Sequence, residues 1–241
     1  MLDDLKRQVL EANWQLKEWG LVVLTWGNVS GCDRDRGLVV IKPSGVDYAV
    51  MKSEDLVVVS LEGEIIEGKR RPSADTPTHL ALYRAFNTIN GIAHTHSQFA
   101  TTFAQACRPI ECLGTTHADH FKGMIPVTRF LTAAEVSQNY ELATGQLIVE
   151  TFKGRDPSTM PAVLVAGHGA FTWGKSPREA AQNSLILEQV AQLAYQTLLL
   201  NPAVAPLPEH ILRKHFLRKH GQGALIMVRI THPRSNSHEG F

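Results

Sequence analysis

The chain has 241 residues, of which 44% are hydrophobic and 20% charged, with a formal net charge of +1. That balance fits one large soluble domain or two small ones, and it excludes a global field that would gather nucleic acid or an anionic membrane. Cys32, Cys107 and Cys112 form neither a zinc spacing nor an even-numbered disulfide framework, and no stretch reaches 18 apolar residues, so a reduced, cytoplasmic protein without a membrane span is expected.

The opening "MLDDLKRQVLEANWQL" is interrupted by charges and does not read as a secretion signal. Leu2, Leu5, Val9, Ala12 and Leu16 fall at helical spacing, which predicts a helix over residues 2 to 19 stopped by Gly20. After "LVVLT" comes "WGNVS", a Gly-Asn break that turns a chain or bares backbone N–H groups. "GLVVIKPSG" and "DLVVVSLEGEIIEG" read as strands, the second folding back at Glu62-Gly63. Thr76 and Pro77 suit a helix start, with Thr76 as its cap. "GIAHTHS" and "AVLVAGHG" are further strands, each ending at histidine. Ser176-Pro177-Arg178-Glu179 is a capping box that opens a long helix to about Leu200, and "LPEHILRKHFLRKHG" predicts a last basic helix ending near Gly221. No repeat or long linker divides the chain. The expectation is a single α/β domain with helices flanking a central, largely antiparallel sheet.

His94 and His96 raise the chemical question. In an extended strand, residues i and i+2 share a face, so the two imidazoles stand about 7 Å apart and can converge on one cation. Hydrogen-bonded core or surface histidines are the plain alternative. His168 stands between Gly167 and Gly169 at the end of another apolar strand, and Asp75 lies just before a helix. Taken singly, His168 reads as a turn histidine and Asp75 as an acid at a helix start. Together, three imidazoles and a carboxylate suit Zn²⁺ or a similar divalent ion. The loops "WGNVS", "KPSG" and "RPSAD" offer backbone N–H groups, the Ser44 and Ser73 hydroxyls and the Lys42 charge for a small phosphorylated metabolite. In "GTTHADHFKG", Asp119 is either a general acid/base, with His117 or His120 as local partner, or part of a surface loop; spacing does not choose.

"LTWGNVS", "VIKPSGVDY", "PSADTPTHLALYRAF", "HTHS", "GTTHADHF", "IVETF", "GHGAFTWGK" and "LRKHFLRKHG" resemble, in order and spacing, the L-ribulose-5-phosphate 4-epimerases of the class II aldolase/adducin-like superfamily. The resemblance runs from residue 1 to about 223. It implies a cytoplasmic homotetramer with active sites between subunits. Asp75, His94, His96 and His168 match the metal positions, normally filled by zinc, although Mn²⁺ would accept the same ligands. Gly27, Asn28, Ser44, Gly45, Ser73 and Ala74 match the substrate positions, mainly those around the phosphate. Asp119 matches a catalytic acid/base, and His215 a histidine near the neighbouring subunit's active site. The implied reaction is a retro-aldol opening of the C3–C4 bond of L-ribulose 5-phosphate, rotation of the aldehyde and re-addition to give D-xylulose 5-phosphate. Asp75 favours the epimerases over the related fuculose-phosphate-type aldolases, which carry Glu there. An aldolase and a non-catalytic, adducin-like interaction module are the alternatives; nucleic-acid binding through the basic last helix is weaker still. The arabinose and ascorbate routes both call for this one chemistry.

Two departures stand out. Ala74 replaces a serine usual in the epimerases, removing a hydroxyl donor worth about 1.5–3 kcal/mol to a charged phosphate. More seriously, the epimerases end in Tyr-Tyr-Gly-Gln, whose second Tyr is the other acid/base, whereas this chain runs "GQGALIMVRITHPRSNSHEGF". Residues 224–241 read as an atypical, disordered tail that would impair epimerisation. Leu225 to Arg229 can be encoded CTT ATT ATG GTC AGG, and read one base earlier that string contains TAT TAT GGT CAG, the missing Tyr-Tyr-Gly-Gln. A one-base shift near codon 223 is therefore the expected origin of the tail; codons for residues 224–229 that do not permit this reading would remove the idea.

Overall fold

Residues 2–221 are described by a computed structural model. The tail discussed above lies outside them. Helix α1 spans Asp3–Glu18 and leads to strands β1 (Asn28–Asp33), β2 (Leu38–Ile41), β3 (Val57–Ser60) and β4 (Ile65–Glu67). Helix α2 (Thr76–Ala85), strand β5 (Gly91–Thr95) and helices α3 (Gln98–Gln105), α4 (Thr115–Ala118) and α5 (Ala133–Thr151) follow. The hairpin β6 (Ala162–Val165) and β7 (Gly169–Gly174) precedes α6 (Pro177–Leu200) and α7 (Glu209–His220).

The strands form one sheet in the order β4-β3-β2-β1-β5-β7-β6, and each neighbouring pair is antiparallel. Alternation along the strands sorts the core into two layers. Val39, Ile41, Val57, Val59 and Ile92 face a cluster built with Leu80, Leu82, Phe103, Phe152 and Leu187. Val40, Val58 and Ala93, one residue out of step, face α1 and the start of α6 through Val9, Leu16 and Ala180. The period-2 pattern thus buries both sheet faces.

Several sequence expectations shift by a residue or a contact. Helix α2 begins at Thr76 and its N-cap is Asp75, whose side chain makes no capping bond; the Thr76 hydroxyl donates back to Ser73 O at 2.6 Å instead. Ser176 does cap α6 by accepting from Glu179 N, but Glu179 turns to Lys175 N at 2.9 Å, so the box closes one residue early. The turn at Glu62-Gly63 is present, with Gly63 N donating to Ser60 O at 3.0 Å and Gly63 at φ +100°. β1, β7, α3, α4 and α5 had no predicted counterpart.

Candidate metal centre and substrate cleft

His94 continues the alternation that puts Ile92 in the core, and His96 follows two residues later, just beyond the end of β5. At the strand end the apolar layer gives way to an open cleft of about 510 Å³. His168 sits in the turn of the β6–β7 hairpin and not at a strand end. Its turn is held by Gly167 N donating to Ala104 O at 2.9 Å and Ala166 N donating to Thr128 Oγ1 at 3.0 Å. One ligand atom from each of His94, His96 and His168 lies within 4.8 Å of the others. Two glycines permit this approach. A Cβ on Gly27, at φ +74°, would lie 2.6 Å from His94 O, and one on Gly169 would lie 2.7 Å from Thr95 O.

The donor set fits a divalent ion. A carbonyl can only accept, so His94 Nδ1 carries the proton it gives Ala170 O at 3.0 Å, leaving Nε2 with its lone pair toward the cluster. His96 Nε2 stands 3.0 Å from that atom. Buried His168 Nδ1 has no hydrogen-bond partner among the described residues. Burial, then the neighbouring His94, pushes the His96 imidazole down to about 4; burial, then His94 and His96, does the same to His168. Both rings are neutral at pH 7 and have lone pairs to offer. Phe171 stacks on His94 with centroids 4.2 Å apart and planes 17° apart, fixing the ring's tilt.

Asp75 lines the same cleft but stands outside the tight group of three imidazoles. Asn28 Nδ2 donates to its Oδ2 at 2.7 Å and to Ser73 Oγ at 3.0 Å. Burial raises the Asp75 carboxyl, but His94, His79, the Asn28 bond and His168 together outweigh it and leave it below its usual range. It is an anion beside the neutral rings of His96 and His168.

Gly27, Asn28, Lys42, Ser44, Gly45, Ser73 and Ala74 all line this cleft. The phosphate-suited loops are narrower in their offer than the sequence suggests. Ser44 N donates to Arg71 O at 2.9 Å and Ser73 N to Lys42 O at 3.0 Å, so these two amides tie the loops together. Among the described residues the Gly45 and Ala74 amides and the Ser44 hydroxyl are free to donate, whereas the Ser73 hydroxyl donates to Asp75 Oδ2 at 3.4 Å and the Lys42 ammonium makes long bonds of 3.4 Å to Thr25 O and Pro43 O. Lys42 is nearly fully buried with its Nζ 4.7 Å from the Tyr48 ring centroid.

Asp119 and His215 come together but do not line this cleft. Asp119 ends α4, and its Oδ1 accepts from His215 Nδ1 at 3.0 Å while Arg218 Nη2 reaches both carboxylate oxygens at 2.9 Å. Of the two local partners suggested by sequence, His117 is engaged otherwise, its Nε2 donating to Gly123 O at 2.8 Å, while His120 makes no side-chain hydrogen bond to Asp119 among the described residues.

Three side chains at the site carried no sequence signal. Trp26 lines the cleft with its ring 6.3 Å from that of His96, and the Tyr140 ring stands 5.9 Å from His168. Burial, then the charge of Asp75, raises the Tyr140 phenol. The third, buried Glu188 on α6, accepts from Phe99 N at 2.8 Å and Ala100 N at 3.0 Å. It thereby caps α3 directly after His96, where Ser97 makes no side-chain cap. Glu188→Gln turns an amide donor toward one of these N–H groups, at a cost of about 1–3 kcal/mol. A fall of several degrees in thermal midpoint is expected; an unchanged midpoint would show that this cap adds nothing to stability.

Residues 7–195 match the family described as the class II aldolase and adducin N-terminal domain. The chain belongs to that family. Among its class II aldolase relatives, it is 50% identical over 223 residues to the L-ribulose-5-phosphate 4-epimerase UlaF of Salmonella paratyphi B, covering 92% of this chain and 98% of that protein. The corresponding protein of Salmonella typhi matches to the same extent. A solved L-fuculose 1-phosphate aldolase superposes with a TM-score of 0.75 at 26% identity, covering 88% of this chain and 94% of the aldolase.

Proposed function

We propose that the chain is an L-ribulose-5-phosphate 4-epimerase acting by retro-aldol opening and re-addition, on the convergence of three lone-pair-bearing imidazoles and a set of phosphate donors in one cleft. Half-identity to UlaF over nearly both chains supports the same substrate. Zn²⁺ or Mn²⁺ held by His94, His96 and His168, with Asp75 as fourth ligand, would supply Lewis-acid stabilisation of the charge that grows on the ketose oxygens. Lys42, the serine hydroxyls and the Gly45 and Ala74 amides hold the phosphate, so that glycolaldehyde phosphate stays bound while its aldehyde turns its other face. Asn28 fixes the Asp75 carboxylate.

Because Asp119 and His215 lie away from their own chain's cleft, we assign them to the cleft of a second copy in a homo-oligomer, a tetramer by family resemblance. The unpaired thiols of Cys32, Cys107 and Cys112 suit a cytoplasmic enzyme. Among the described residues no helix is long and apolar enough to cross a membrane. Incubation of the zinc-loaded protein with L-ribulose 5-phosphate is expected to give D-xylulose 5-phosphate. Glycolaldehyde phosphate alone would favour an aldolase; no product and no bound metal would favour an adducin-like module. Grafting Tyr-Tyr-Gly-Gln in place of residues 224–241 separates a tail defect from a defect of the fold.

Lys42 gives the cleft a pH signature. Burial pulls its ammonium down to about 8, against the opposing charges of Asp47 and Asp75. Below that pH the group is a cation; above it the charge that pairs with phosphate is lost. The substrate phosphate, with a second pKa of about 6, is already a dianion there. kcat/KM, which reports the free enzyme, is therefore expected to fall as pH rises through 8. Lys42→Met should lower kcat/KM throughout and flatten that limb; an identical alkaline limb in the variant would rule Lys42 out as its source.

A further inference from the structure

Helix α5 is two helical runs joined at Asn139, which leaves the helical region at φ −168°, ψ 101°. Its Oδ1 accepts from Leu142 N at 3.0 Å, the bond of an N-cap, so a second run starts at Tyr140. The break delivers Tyr140 to the His168 turn, with ring centroids 5.9 Å apart and planes inclined by 57°. Its side chain is partly open to solvent, with the residue 38% exposed. The phenol makes no hydrogen bond within the described residues. Of the other three tyrosines, two have hydrogen-bonded phenols and the third lies on α6, outside the cleft. Tyr48 donates to Trp26 O and Gly27 O at 2.8 Å, Tyr83 pairs with Ser30 Oγ at 2.8 Å, and Tyr195 packs on Phe99.

We infer that Tyr140 is a substrate-contacting residue, its phenol donating a hydrogen bond to an oxygen of the sugar phosphate beside His168, at the ketose end and not at the phosphate. The phosphate donors come from the loops after β2 and before α2, whereas Tyr140 approaches from the β6–β7 side, beside His168. A phenol at neutral pH is a donor on a rigid, two-torsion arm. A bond to an oxygen that gains charge as C3–C4 opens strengthens on the way to the transition state, so it acts on kcat more than on KM.

The inference rests on the 4-epimerase reading, and Tyr140→Phe separates the two. With zinc-loaded full-length protein and L-ribulose 5-phosphate, the variant is expected to lose about 10- to 100-fold in kcat/KM, mostly in kcat. Its zinc affinity should match the wild type, because the ring against His168 remains. Tyr140→Ala, which removes the ring too, should lose at least as much activity. Wild-type turnover with Tyr140→Phe within twofold of it overturns the inference alone. A loss in Tyr140→Phe that merely tracks lost zinc makes the residue a structural support and also overturns it. A wild type that neither binds nor converts the substrate overturns the epimerase reading and this inference with it.

Discussion

Replacing His168 with alanine is expected to abolish detectable epimerisation and to weaken Zn²⁺ binding by more than the 10- to 100-fold typical of losing a residue that merely supports a ligand. His94 is oriented by its bond to Ala170 O and by Phe171, and His96 lies beside it, so both remain in place when His168 is removed. Two imidazoles and one carboxylate then face the ion, and the third nitrogen cannot be replaced from nearby, because Tyr140 and Phe130 present rings to that turn. The measurement is zinc per chain at fixed free zinc, paired with thermal unfolding. A ligand that binds only the folded state raises the wild type's stability by about 2.7 kcal/mol at a hundredfold excess over Kd, whereas the variant's midpoint should hardly respond. Unaltered zinc affinity in His168→Ala would mean that the three histidines do not form one site.

How much of this was legible follows from which distances the chain sets locally. His94 and His96 were legible because a strand fixes the relation between i and i+2, whatever else the fold does. The long apolar runs of β2, β3 and β6 were legible because they are buried on both faces. Helix α5 was not, because Asn139 interrupts it and its first ten residues are almost wholly exposed, leaving no apolar stripe to read. β7, "GAFTWG", is bounded by glycines and follows a turn histidine, so the strand hid behind the motif. The cap that Glu188 gives α3 and the pairing of Asp119 with His215 join residues 89 and 96 positions apart. Helix packing sets those distances, and spacing along the chain carries no trace of them. The resemblance named Asp119 and His215 separately; only the fold shows that they touch.

That contact shapes the second large effect. Asp119→Asn is expected to lower kcat by about 10²–10⁴-fold, the usual loss when one positioned acid/base is removed. Burial raises the Asp119 carboxyl, but hydrogen bonds from His215 and Arg218 and their charges reverse this and hold it below its usual range, so the group rests as the anion, ready to take a proton. Asparagine keeps the shape and one acceptor for Arg218 while removing that ability. The rival explanation is structural, since the carboxylate also ties α4 to α7 and its loss could loosen both helices. A mixing experiment distinguishes them. If each cleft combines the His168 of one subunit with Asp119 of the partner subunit, then Asp119→Asn and His168→Ala chains, each inactive alone, regain activity when refolded together, because mixed oligomers contain some clefts with both groups intact. Recovery demands that the two residues act from different chains at one site. No recovery, with mixed oligomers demonstrated and both variants folded, would confine Asp119 to holding α7 in place and leave the second acid/base to be sought elsewhere.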